Sequence, residues 1–321
     1  MAKIAFTYEI PEIAEKKLIN AGFEVWINRK NETLSHEEIV NLAKEYDALI
    51  TLLSDRIDEE VIRTGKNGNL KIISNYAVGY NNIDVESAKK AGIYVTNTPG
   101  VLSDATADLA WALLFAVARK IVESDKFVRN GEFVGWRPKL FLGYDIKGKT
   151  LGIIGMGRIG KEMAKRAKGF EMNILYYKRN KLNELEEKEL GVKFAPLEEL
   201  MKKSDFISLH TPLTDETHHL LDEKEFSLMK PNAIIINTAR GPVINEKVLI
   251  KYLKERKIAG AGLDVYEEEP HIPQELLDLD NVVLTPHTGS ATFETRNKMA
   301  EMVAENVIAA LKGDVPPNNV Y

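Results

Sequence analysis

The chain contains no cysteine. Disulfides, zinc–thiolate sites and thiol nucleophiles are therefore excluded, and the composition suits a cytoplasmic protein. Long hydrophobic runs are missing too. The longest, residues 109–118, is about half of the ~20 residues a membrane span requires, and Asp108 precedes it. No membrane association is expected; the run reads as a helix buried on all sides, at a domain or subunit interface. The apolar start of the chain is too short for a signal-peptide core, so no secretory leader is expected. Charge of one sign is scarce, with 43 Lys and Arg against 48 Asp and Glu for a net charge of -5. Acids and bases are interspersed without a basic stripe or tail, so no nucleic-acid partner is expected. No two of the 6 histidines share metal-ligand spacing with carboxylates nearby, and no metal site is expected. Low-complexity segments and sequence repeats are absent as well.

What is present is an alternation of strand-like and helix-like segments. At 321 residues the chain exceeds what one core usually sustains, and two domains are expected. In the first series, strands are expected at 4–8, 23–27, 48–52, 70–74 and 93–97, with helices between them. Ser35 followed by Glu38 has capping-box spacing. Gly22, Gly65 and Gly92 follow helical stretches, as stop signals do. A second series begins at Thr150, with six strands expected at 151–154, 173–177, 206–210, 233–237, 260–264 and 282–285. A long helix at 106–120 and an irregular arm at 131–148 separate the series. A final helix at 292–311 follows the second sheet and is expected to return to the first domain. The reading is α/β, with two doubly wound parallel-sheet domains. A discontinuous, flavodoxin-like substrate-binding domain takes residues 1–100 plus 290–321. A Rossmann nucleotide-binding domain takes 101–289, with its cofactor crevice facing the cleft.

The second series opens on Gly155-Met156-Gly157-Arg158-Ile159-Gly160, a G-x-G-x-x-G between an apolar strand and a helix-forming run. In that setting Gly155 makes the tight turn, Gly157 admits a pyrophosphate, and Gly160 lets helix and strand pack. The helix N-terminus offers its free N–H groups to the phosphates. Three polar residues follow later strands, where ligands of open α/β sheets bind. Arg240 has a fork that holds a carboxylate bidentately. Glu269 precedes Pro270, and His287 follows Thr285-Pro286. A histidine bonded to a carboxylate can donate a proton near neutral pH. With a dinucleotide, these residues supply what reduction of a 2-oxo acid requires. The ordinary alternatives are a surface salt bridge for Arg240, a solvated acidic turn for Glu269 and a helix cap for His287. His210 also ends a strand and fits the cofactor wall or a structural hydrogen bond, while His218 and His219 read as solvated loop residues. In the first domain, the turn containing Val78 and Gly79 could form an anion nest, with an ordinary glycine turn as the alternative. Leu53 and Ser54 end a neighbouring strand.

Together these stretches resemble the D-isomer-specific 2-hydroxyacid dehydrogenases from end to end. The matching segments are Gly-Met-Gly-Arg-Ile-Gly at 155–160, Asn-Thr-Ala-Arg-Gly at 237–241, Gly-Leu-Asp-Val-Tyr-Glu-Glu-Glu-Pro at 262–270 and Thr-Pro-His at 285–287. The resemblance implies a catalytic trio at Arg240, Glu269 and His287, the glutamate being the one directly before proline. It implies a substrate site at Leu53, Ser54, Val78, Gly79, Arg240 and His287. Trp136 would close the pocket from a neighbouring subunit, which implies a homodimer. Beyond the glycine turn, cofactor contacts are expected at Thr106, Lys178, Arg179, Asn180, His210, Thr238, Ala239, Arg240, Asp264, His287 and Gly289. Within the family, 75–84, 96–102 and 285–292 are most similar to glyoxylate/hydroxypyruvate reductases of archaeal type. A small 2-oxo acid is thus the expected substrate. Members that prefer NAD carry an acid at the end of the second Rossmann strand. Here that strand ends in Lys178-Arg179-Asn180-Lys181, so NADPH is expected to be preferred and NADH tolerated. The competing readings are a dehydrogenase of D-lactate or D-3-phosphoglycerate and a dinucleotide-sensing, corepressor-like protein.

Overall fold

The β-α alternation builds two parallel sheets, each within its own unit of the chain. A computed structural model describes all 321 residues. One unit comprises Met1–Leu102 with Ser290–Tyr321, and the other is Ser103–Gly289. The first unit runs β1 (Lys3–Phe6), α1 (Ile13–Asn20), β2 (Glu24–Ile27), α2 (His36–Glu45), β3 (Ala48–Thr51), α3 (Glu59–Asn67), β4 (Ile72–Asn75), α4 (Val85–Ala91) and β5 (Tyr94–Thr96). Its sheet order is β2-β1-β3-β4-β5, every pair parallel, which is the flavodoxin-like order.

Local chemistry sets the ends of these helices. Ser35 caps α2 in a complete capping box with Glu38, and Gly92 stops α4 in the left-handed conformation. Gly65 departs from expectation, because it lies inside α3 and stops nothing. A Cβ there would sit 2.5 Å from Leu70 Cδ2, so the glycine serves close packing of the strand approach. α3 ends instead at Gly68.

The second unit begins with α5 (Ser103–Ala118) and α6 (Ile121–Arg129), the latter not anticipated by sequence. Its sheet region follows as β6 (Thr150–Ile154), α7 (Arg158–Gly169), β7 (Asn173–Tyr177), α8 (Glu184–Leu190), β8 (Val192–Phe194), α9 (Leu197–Lys203), β9 (Phe206–Leu209), α10 (Glu223–Ser227), β10 (Ile234–Asn237), α11 (Glu246–Lys254), β11 (Gly260–Leu263), α12 (Gln274–Leu277) and β12 (Val282–Leu284). The sheet has seven strands, not six, in the order β12-β11-β10-β9-β6-β7-β8. Counting from β6, this is the Rossmann order with one strand added beyond it. The strand missed by sequence is β8, an edge strand of three residues whose middle side chain, Lys193, is exposed. The expected six therefore left out a true Rossmann strand and counted the extra one, β12. α5 packs on β10, β11, β12 and α7 within its own unit. This explains the apolar 109–118 run, with Ala110, Trp111, Leu113, Leu114 and Val117 all buried.

α13 (Phe293–Lys312) belongs to the first unit. Thr292 caps it, and Met299, Val303 and Val307 are buried on the side that meets α1 and β4. No helix of the chain is long and apolar enough to cross a membrane.

Candidate active site

In the second unit the strand ends align. Ile154 pairs with Leu209, Leu209 with Asn237, Asn237 with Leu263, and Leu263 with Leu284. The next residues, Gly155, His210, Thr238, Asp264 and Thr285, therefore stand along one carboxyl edge of the sheet. The β6–β9 junction, where strand order reverses, is the switch point at which such sheets take ligands.

The glycine turn is built for close approach. Gly155 has φ +96°, and a Cβ on it would meet His210 O at 2.4 Å; one on Gly160 would meet Gly155 O at 2.1 Å. Gly157 is the N-cap of α7 and supplies no side-chain cap, while open space lies where its Cβ would be. The first turn of α7 carries no acid. Free N–H groups facing an open, unopposed position fit a phosphate. Two further buried atoms have no partner, His210 Nδ1 and Thr238 Oγ1. His210 bonds Ser208 Oγ through Nε2 at 2.8 Å, and burial pushes its pKa down to about 3. It is a neutral wall residue. These features fit a dinucleotide lying along the edge. Met156, by contrast, is fully buried in the core.

Arg240, Glu269 and His287 come together at the same edge. His287 Nδ1 lies 2.8 Å from Glu269 Oε2, and Glu269 Oε1 accepts the Tyr266 N–H at 3.0 Å. Desolvation pushes the Glu269 carboxyl up, but the His287 hydrogen bond and charge, the Tyr266 N–H and Arg240 outweigh it. Its pKa lies below the usual glutamate value. Glu269 is thus a carboxylate at neutral pH, so His287 Nδ1 carries the hydrogen of that bond. The free ring nitrogen, Nε2, is the one left for a substrate. Burial lowers the Arg240 pKa while Glu269 pulls it back. One guanidinium N–H goes to Ala239 O at 2.6 Å.

Each member is braced from behind. The Asn237 side chain accepts the Ala239 N–H and donates to Arg240 O, both at 3.0 Å, which fixes the turn carrying Arg240. Gly241 then packs on the next loop so closely that a Cβ would lie 1.8 Å from Tyr266 O. His287 itself sits at φ +54°, left-handed backbone that few non-glycine residues adopt. Asp264 holds it there. Its backbone carbonyl takes the His287 N–H, and its carboxylate takes the N–H groups of Thr288 and Gly289 and the Thr285 hydroxyl. Gly289 is tucked against Asp264 and Thr106.

His219 differs from expectation. Its side chain is only 29% exposed and bonds Glu267 Oε1 through Nε2 at 2.7 Å. Glu267 Oε2 accepts the Glu246 N–H, and Glu246 returns the bond to the Glu267 N–H. This knot ties the start of α11 to the loop that carries Glu269. Sequence reading missed it because its partners lie 21 and 48 positions apart.

Tyr177 pairs with Ile154, so the residues after β7 continue this edge beside Gly155, while the other candidates lie in the arm and in the first unit. Lys178, Arg179 and Asn180 follow β7, with Arg179 and Asn180 exposed. Trp136 is 83% exposed in the arm between α6 and β6. In the first unit, Leu53 and Ser54 follow β3, and Val78 and Gly79 follow β4. No group of His, Asp and Glu side chains is placed to hold a metal ion.

Fold, phosphate cradle and the Arg–Glu–His edge define a dinucleotide-dependent oxidoreductase. The chain belongs to the D-isomer specific 2-hydroxyacid dehydrogenase family, whose NAD binding domain matches residues 111–289, more than half of its length. A glyoxylate reductase of Thermococcus litoralis is 56% identical, with 99% of this chain and 96% of that protein covered. Another from Pyrococcus horikoshii is also 56% identical, over 99% and 95%. Among solved structures, an NADPH-dependent glyoxylate/hydroxypyruvate reductase of Sinorhizobium meliloti, in complex with NADP and malonate, aligns with a TM-score of 0.88. It is 30% identical, with 99% of this chain and 96% of that one covered.

Proposed function

We propose that this protein reduces glyoxylate, and hydroxypyruvate with it, to the 2-hydroxy acid, with D specificity where the product is chiral. It uses NADPH in preference to NADH and acts as a cytoplasmic homodimer. The observation that carries the reaction is the 2.8 Å bond between His287 Nδ1 and the Glu269 carboxylate. It commits Nδ1 and leaves Nε2 as the proton donor.

The nicotinamide, when bound, supplies a hydride to the 2-oxo carbon. Arg240 holds the substrate carboxylate through its fork, assisted by the backbone N–H groups at Val78 and Gly79. As the carbonyl gains the hydride, its oxygen becomes an alkoxide, and His287 Nε2 gives it a proton. Glu269 stabilises the imidazolium before that transfer and keeps the ring oriented. Leu53 and Ser54 line the substrate position, and the partner's copy of the arm brings Trp136 to it. The glycine turn takes the pyrophosphate, with Thr106, His210, Thr238, Ala239, Asp264 and Gly289 along the rest of the cofactor.

The test is NADPH and NADH oxidation with glyoxylate, hydroxypyruvate, pyruvate and phosphohydroxypyruvate in turn. Glyoxylate and hydroxypyruvate should give the highest kcat/KM. Higher values for pyruvate or phosphohydroxypyruvate would reassign the substrate, and no turnover on any would refute an enzyme of this kind. His287→Ala should lower kcat by about 10²–10⁴, and near-normal turnover by that variant would remove His287 from the proton transfer.

A further inference from the structure

Two peptide planes after β4 are gripped from behind. Asn97, one residue past β5, donates its Nδ2 to Val78 O at 2.7 Å. Asn75, the last residue of β4, donates its Nδ2 to Gly79 O at 2.8 Å. Both asparagines are buried, at 9% and 0% exposure. A trans peptide points its carbonyl and the following N–H in opposite directions. Fixing Val78 O therefore fixes the direction of the Gly79 N–H, and fixing Gly79 O does the same for the Tyr80 N–H. Neither N–H, nor that of Val78, donates to any group of the protein. Val78 and Gly79 are partly open to solvent, so their amides are within reach of an external acceptor.

The grip is itself secured. Asn75 Oδ1 accepts the Thr51 hydroxyl at 3.1 Å, and Asn75 Nδ2 also approaches Asn82 Oδ1 at 3.4 Å. Asn82 Nδ2 holds Leu52 O at 3.0 Å and Asp55 O at 2.9 Å. One polar network thus sets the backbone on both sides of the β3–β4 strand ends.

We propose that Asn97 and Asn75 are positioning residues for the substrate carboxylate. Their carboxamides hold the 78–80 peptides so that N–H groups, and not carbonyl oxygens, face the anion. The inference rests on the proposed role of the Val78–Gly79 backbone. It explains why a carboxamide and not a carboxylate stands here: the carbonyl needs a donor, and an ionised carboxylate offers none and would repel it. Asn97→Asp preserves the volume and should do more harm than Asn97→Ala, since the flipped peptide would present its carbonyl to the substrate.

The experiment measures KM for glyoxylate, the dissociation constant of malonate on the NADPH-loaded protein by calorimetry, and NADPH affinity by fluorescence. Asn97→Ala should raise the glyoxylate KM and weaken malonate by about 10-fold, and Asn97→Asp by more. For both variants kcat and NADPH affinity should stay within about twofold, the split that marks lost carboxylate binding. Wild-type-like malonate binding by both variants overturns the inference. So does a loss of NADPH affinity in step with melting temperature, which is the signature of a purely structural role. A wild-type protein that binds malonate but turns over no 2-oxo acid would refute the functional reading and leave the malonate comparison to judge Asn97. A wild-type protein that binds no malonate overturns the inference as well.

Discussion

Three consecutive glutamates, Glu267, Glu268 and Glu269, meet three different fates. Glu267 is knotted to His219 and α11, Glu268 is exposed, and Glu269 faces His287. No propensity separates identical neighbours; the tertiary partners do. A pH consequence follows for Glu269. Its folded pKa lies below the usual 4.5, so its ionised form favours the folded state. That contribution is complete above the ordinary glutamate range and is lost as pH falls through the folded value. With 35% of the side chain exposed, solvent screens the pair and keeps the effect modest. Wild type should melt above Glu269→Gln at neutral pH, and the gap should close as pH falls through and below the ordinary glutamate range. Melting curves across that range check it; a gap that widens on acidification would contradict the pairing. The site residues that sequence made visible were those inside compact motifs, Arg240, Glu269 and His287. Those it hid, His219 and Glu267 among them, act through partners many residues away.

At the scale of elements, the proposed preference for NADPH rests on the end of β7. Neither Lys178 nor Arg179 is in an ion pair, whereas Lys181 meets Glu187 at 3.7 Å and Lys161 meets Glu186 at 2.6 Å. Two unpaired cations at the position where relatives preferring NAD carry an acid favour a 2′-phosphate. Replacing both, as Lys178→Ala with Arg179→Ala, should cut kcat/KM for NADPH by about 10-fold or more while leaving NADH within about twofold. Steady-state kinetics with both cofactors read the ratio directly, and an unchanged ratio would exclude the two cations. The strands were legible where buried runs of four or five apolar residues end in a polar or glycine residue, as at Ile234–Asn237. β8 was not, because three residues with a charged middle carry no periodicity. α6 was hidden for another reason: none of its residues is buried, so its apolar positions mark no core.

At the scale of the whole molecule, that bare helix and the arm after it carry unusual exposure. Val128, Phe133, Val134, Trp136 and Leu142 all stand open, Val134 and Trp136 at 83%. Apolar side chains concentrated in one stretch fit the face proposed for the homodimer. We expect light scattering to give twice the chain mass of 36.1 kDa, and Val134→Asp with Trp136→Glu to shift it toward the monomer. A monomeric wild type would leave that surface without its proposed partner.

The first unit is assembled from two separated pieces of chain, with all of Ser103–Gly289 between them. On the ribosome, its five strands emerge long before α13, the helix that packs on β4 and α1. At the usual rate of synthesis that interval is about 10–40 s. The nucleotide-binding half, being continuous, has everything it needs before the other half does. The earliest part of the chain to be made is therefore the last to be finished, and its uncovered sheet face is the vulnerable surface of the nascent protein.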